Sequence, residues 1–194
     1  MVAVTSKRFT VVEYLELEAE AEFKSEFVDG EIIPMAGATA NHNKIALNFC
    51  RLFPLTINGQ DYDTFMSDMR LWLTQHNRYT YPDVMVVEDA SSFTDEKQTA
   101  ITNPCLIVEI LSNSTRGYDR SDKFKLYRSI PAFKEYILIY QNCYGVEQYC
   151  KQNDGRWILT EYLDQDAVLK LETIDFEISL RDLYKRVVFE ESFV

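Results

Sequence analysis

The sequence predicts a mixed α/β fold (α+β mixed), a central mixed sheet flanked by helices with a hairpin near its N-terminal end, and three observations carry that expectation. Helix-like and strand-like stretches follow in the order helix, hairpin, helix, strands, helix, strands. Two-residue and short turn signals, Asp29-Gly30 and Asn153-Asp154-Gly155-Arg156, join strand pairs. No internal repeat, low-complexity tract or linker-like run interrupts the 194 residues, so one domain over 1–194 is expected.

Thr10 followed by Glu13 has the spacing of a capping box and opens a short helix, VVEYLELEAE. FKSEFV and EIIPM flank Asp29-Gly30 and read as a hairpin. From Asn41, NHNKIALNFCRLF has helical apolar spacing and should end near Pro54. FMSDMRLWL alternates imperfectly and reads as a strand. VMVV after Pro82-Asp83 and CLIVEIL after Pro104 are two more. The polar loop SNSTRG leads into a helix over roughly 119–129, EYILIY is a further strand, and YGVEQYC and RWILTEY form a second hairpin. ISLRDLYKRV reads as a short closing helix.

Composition narrows the class. At 46% hydrophobic and 26% charged residues the chain can bury a core and has the balance of a globular protein. Cys50, Cys105, Cys143 and Cys150 form no CxxC pair and only two histidines accompany them, which argues against structural zinc. The first residues turn acidic without a long apolar stretch and no run approaches a membrane span, so a cytoplasmic protein without membrane partners is expected. A net charge of −11 argues against a protein that coats nucleic acid electrostatically. Between Arg116 and Arg128, however, five basic residues meet only Asp119 and Asp122, a local +3 that leaves −14 for the rest. That strip is either a working surface or a solvated helix face.

The chemistry concentrates on CLIVEIL. Alternation places Ile107, Glu109 and Leu111 on one face, and Asp83, Met85 and Val87 share a face of the preceding strand. Burying an unpaired carboxylate costs several kcal/mol, roughly, and two on adjacent strands repel unless a cation lies between them. Mg²⁺ suits that arrangement, since it takes one or two carboxylates together with waters and phosphate oxygens. The bland alternatives are a turn-capping role for Asp83 and a structural ion pair of Glu109 with an arginine such as Arg70. On the following helix Lys123, Leu126, Tyr127 and Ile130 fall in one arc with Asp119, so Lys123 lies inside the stripe that packs on the sheet. It either snorkels to water or places a positive charge beside a scissile phosphate.

YPDVMVV, PCLIVEILSNST, YDRSDKFKLYR and EYILIY, in that order, resemble the putative restriction-endonuclease family of the PD-(D/E)xK nuclease superfamily, over nearly the whole chain from the Asp29-Gly30-Glu31 hairpin onward. The resemblance implies a restriction-endonuclease-like core, Mg²⁺- or Mn²⁺-dependent phosphodiester hydrolysis, and a homodimer acting on nucleic acid, DNA foremost. It makes Asp83 the acid of the PD element and Glu109 the second acid. Leu111 stands where the lysine usually follows, and Lys123 of the next helix matches the position from which this family supplies it. Glu31 and His42 match further positions near the site, while Asn113 stands where relatives often carry proline.

The expected chemistry is metal-assisted hydrolysis, with Asp83, Glu109 and the Ile110 carbonyl holding the ion and Lys123 stabilising the developing charge. Ser112 and Thr115 would contact phosphate oxygens, and Arg116 and Arg120 would position the backbone. Two rivals stand beside it: a nuclease fold serving as a binding or assembly module without turnover, and an enzyme for another phosphorylated small molecule.

Overall fold

Thr10 caps the first helix as its spacing from Glu13 predicts. In the computed structural model of the protein, which describes residues 7–112 and 116–189, the Glu13 N–H donates to the Thr10 hydroxyl at 3.2 Å. The Thr10 N–H donates to the Glu13 carboxylate at 2.7 Å, which opens α1 (Val11–Glu20). Asp29 and Gly30 both take positive φ, 49° and 91°, as the mirror-image turn of a two-residue hairpin requires. They join β1 (Ser25–Val28) to β2 (Glu31–Pro34). α2 (Ala40–Leu52), capped by Thr39, ends at Phe53, immediately ahead of Pro54.

FMSDMRLWL, expected as one strand, is two. After β3 (Thr56–Ile57), the chain runs through β4 (Gln60–Met66) and turns at Ser67-Asp68, where the Met69 N–H donates to the Met66 carbonyl at 2.9 Å. It then enters β5 (Arg70–Leu73) in a different sheet. The polar pair that blurred the alternation is the turn itself. β6 (Arg78–Thr80), β7 (Val84–Glu88), β8 (Ala100–Ile101) and β9 (Leu106–Leu111) follow. The helix expected over 119–129 is divided: α3 (Arg116–Tyr118), a π-wound stretch (Asp119–Lys123) and α4 (Phe124–Tyr127). The remainder is β10 (Glu135–Tyr140), β11 (Val146–Lys151), β12 (Trp157–Tyr162), β13 (Val168–Lys170), β14 (Glu177–Ser179) and α5 (Leu180–Leu183).

The fold is mixed α/β. Its seven-stranded sheet has the order β12-β11-β10-β9-β7-β4-β3, with β9 and β10 parallel and the other neighbours antiparallel. A five-stranded sheet, β2-β1-β6-β5-β8, and the β13–β14 hairpin complete it. Every residue of β9 is buried, because both faces of the larger sheet are covered. Leu106, Val108 and Ile110 pack with Ile45, Phe49 of α2 and Leu180 of α5. Ile107 and Leu111 pack on the other face with Met85, Tyr127, Phe133 and Tyr136. Strand alternation therefore sorts the faces as predicted, and it turns Glu109 toward the α3–α4 side. All four cysteines are free. Among the described residues no helix is long and apolar enough to cross a membrane.

Candidate active site

The β7–β9 register pairs Val84 with Val108, and continuing it by one residue sets Asp83 opposite Glu109. Backbone bonds lock the two together. The Ile110 N–H donates to Asp83 Oδ2 at 2.7 Å, and the Asp83 N–H reaches Glu109 Oε2 at a long 3.4 Å. His42, in the first turn of α2, brings Nε2 within 3.1 Å of the same Asp83 Oδ2. Asp83 is thus held between the end of one strand and the start of a helix. Glu109 is 3% exposed.

Glu109 does not pair with Arg70, whose Nε donates to the Thr99 carbonyl instead. Its Oε1 accepts from Lys123 Nζ at 3.1 Å and from the Tyr127 hydroxyl at 2.7 Å. Lys123 Nζ also lies 3.2 Å from Asp119 Oδ1 across the π-wound stretch. A π turn inside a helix is often a functional feature. Here Tyr136 donates to the Asp119 carbonyl at 3.1 Å and Asp119 is 2% exposed, so the stretch is held from below.

Charge explains what that arrangement requires. Burial, then the charges of Asp83 and Asp119, push the Glu109 carboxyl up to about 8, against the opposing pull of Lys123 and Tyr127. Burial also works against the Lys123 charge, but Glu109, Asp119 and Glu26 outweigh it and hold the ammonium well above its ordinary range. These groups line a cleft of about 730 Å³ that also includes Ser112, Tyr118 and Gln141.

The donor set fits a small hard cation. Asp83 Oδ1 accepts no hydrogen bond among the described residues, and Glu109 Oε2 meets only the long contact to Asp83 N. One oxygen of each carboxylate therefore remains for a metal, with the Ile110 carbonyl as a backbone donor in the same cleft. Among the described residues no three His, Cys, Asp or Glu side chains form an all-protein cage. Mg²⁺ asks for none, since it keeps water and substrate oxygens in its shell.

Other expected residues fall elsewhere. Glu31 is exposed beside the β1–β2 turn, outside the cleft lining; the extended strand puts it on the hairpin, away from Glu109. Arg120 grips Glu147 instead of facing the cleft: its Nε donates to both carboxylate oxygens at 2.9 and 3.1 Å, and its terminal nitrogen donates to the Tyr140 hydroxyl at 2.8 Å. Glu147, on β11, is 5% exposed and would be an unpaired buried charge without it. Arg116 opens α3. Asn113 and Thr115 lie outside the described residues. The sequence reading missed Glu26, which lines the cleft from β1 and accepts a hydrogen bond from the Thr80 hydroxyl. Alternation in SEFV buries Phe27 and leaves Glu26 half-buried, but no local pattern announces that β1 borders the Asp83–Glu109 pair.

Comparison with known proteins gives a family and a fold. The family profile described as Uma2, putative restriction endonuclease, matches residues 11–181. The uncharacterized protein sll1609 of Synechocystis sp. is 51% identical over 170 residues, 88% of this chain and 96% of that protein. A second from the same organism, slr1290, is 35% identical over 178 residues, 91% of this chain and 92% of that protein. The crystal structure of a putative nuclease belonging to DUF820 from Anabaena variabilis superposes with a TM-score of 0.71 at 18% identity. The superposition covers 93% of this chain and 99% of that one, which shows the shared fold.

Proposed function

The chain belongs to the Uma2 family of putative restriction endonucleases, and from that premise we propose that it is a Mg²⁺- or Mn²⁺-dependent endonuclease hydrolysing phosphodiester bonds of nucleic acid, DNA foremost. The observation that carries the proposal is a buried Glu109 opposite Asp83, with Lys123 Nζ 3.1 Å from its carboxylate, at the floor of a cleft open to substrate.

Asp83, Glu109 and the Ile110 carbonyl would hold the cation, which when bound would supply Lewis acidity and a water of lowered pKa. Lys123 brings its ammonium beside the scissile phosphate, where charge grows on the way to the transition state. Asp119, 3.2 Å from the ammonium, adds a second negative charge that favours its protonated form. Tyr127 holds Glu109 in its rotamer, and His42 does the same for Asp83. Ser112 stands at the cleft edge within reach of phosphate oxygens, with Thr115 and Arg116 following in sequence. The family resemblance adds a homodimer, which sedimentation at micromolar concentration reads directly.

The test is cleavage of supercoiled and single-stranded DNA with Mn²⁺ by the native protein, Asp83→Ala and Lys123→Ala. Losses of about 10²–10³-fold are expected in both variants; equal cleavage by all three contradicts the reading. One observation favours a module without turnover: Lys123 already donates a hydrogen bond to Glu109, as in a purely structural pair. Calorimetric titration with Mg²⁺ and Mn²⁺ separates the two. Binding that Glu109→Ala abolishes supports the enzyme, and no binding by the native protein supports the module.

A further inference from the structure

Part of the cleft lining is apolar and left in water. Phe23, ahead of β1, is 72% exposed, and Ile33 and Met35 around the end of β2 are 45% and 37% exposed. All three line the same cleft as Asp83 and Glu109, together with Pro34 and Ala36. Large apolar groups kept at the rim of a polar site mark a surface that a ligand covers.

Charge says which ligand. The described lining carries five acids, Glu22, Glu26, Asp83, Glu109 and Asp119, against Lys24 and Lys123. Both lysines are engaged: Lys24 with Asp68, and Lys123 with Glu109 and Asp119. Proteins that hold a duplex through its backbone neutralise many phosphates with lysine and arginine, and among the described residues this lining offers no row of such groups. A volume of about 730 Å³ suits an extruded nucleotide more than a duplex track. Aromatic and apolar side chains hold single strands by the faces of their bases, a contact distinct from those made to phosphates.

Resting on the nuclease reading, we infer that the cleft takes an unpaired nucleotide of a single strand. Its base lies on Phe23 with Ile33 and Met35 around it, and its phosphate points to Asp83 and Glu109. Recognition of the base face and placement of the phosphate are then separate functions of adjoining parts of one cleft.

The experiment is fluorescence anisotropy of labelled 12-mers in Ca²⁺: single-stranded DNA, single-stranded RNA of the same sequence, and duplex DNA. The native protein is compared with Phe23→Ala, Phe23→Tyr and Leu163→Ala, the last an exposed apolar control on another surface. At least one single strand should bind tenfold or more tighter than the duplex. Phe23→Ala should lose about tenfold (~1.4 kcal/mol), Phe23→Tyr should restore it, and Leu163→Ala should change nothing. Duplex bound as tightly as single strand, or single-strand affinity unchanged in Phe23→Ala, overturns the inference while leaving the nuclease reading standing. Unchanged strand binding with loss of self-association in Phe23→Ala assigns the patch to a second copy of the chain and likewise overturns it. No binding of any strand removes both.

Discussion

Glu109 is costly where it sits, and the cost is measurable. Its carboxyl is raised to about 8, chiefly by burial and then by Asp83 and Asp119. Between the ordinary carboxylate range near pH 4.5 and pH 8 the folded state therefore holds a proton that the unfolded chain has released. Stability from this group is complete below that window and declines as pH rises through it. Urea unfolding in EDTA should show a loss on the order of a few kcal/mol between pH 5 and pH 8, and Glu109→Gln should flatten the slope. A slope unchanged in Glu109→Gln would mean that Glu109 is ionised throughout. Glu109 and Lys123 stood out in the sequence because each breaks an apolar pattern, and Asp83 because it follows Pro82 directly ahead of the VMVV strand. Glu26 did not: its hydrogen-bond partner Thr80 is 54 residues away, and a half-buried glutamate on a four-residue strand costs nothing that a local pattern reveals.

At the scale of elements, the π-wound stretch is the part on which the proposed mechanism depends. It sets Asp119 and Lys123 together while Arg120, between them, points the other way and ties the stretch to β11 through Glu147. Arg120→Ala should cost about 2 kcal/mol. That is less than the ~3–5 of a fully buried pair, because the arginine side chain is 30% exposed. Strand affinity and its salt dependence should not change. A drop in affinity with the salt slope shallower by about one, and no loss of stability, would return Arg120 to a phosphate-contacting role. The uniform 3.6-residue period found the stripe of Lys123, Tyr127 and Ile130 correctly. It could not show the π turn, which depends on Tyr136 reaching the Asp119 carbonyl from another strand.

Over the whole molecule the net charge is −11, so the proposed function requires a polyanion to approach an acidic body. Single-strand binding should therefore depend on a divalent cation, falling at least tenfold in EDTA, and log affinity against log salt should be no steeper than about −2, the value for two or three neutralised phosphates. A slope of about −5 that is indifferent to the cation would locate binding on a basic surface instead. The helix, hairpin and strand order was legible from turns and periodicity. The split of FMSDMRLWL between sheets was not, nor were β6 and β8, because three- and two-residue strands are defined by partners and not by their own pattern.

The most direct measurement is anomalous diffraction from crystals grown with Mn²⁺. The expected result is one strong peak between positions 83 and 109, about 2.0–2.3 Å from an oxygen of each carboxylate, absent in Asp83→Ala. A peak elsewhere, or no peak with both carboxylates ordered and Lys123 still bonded to Glu109, would contradict the metal site and with it the hydrolytic function.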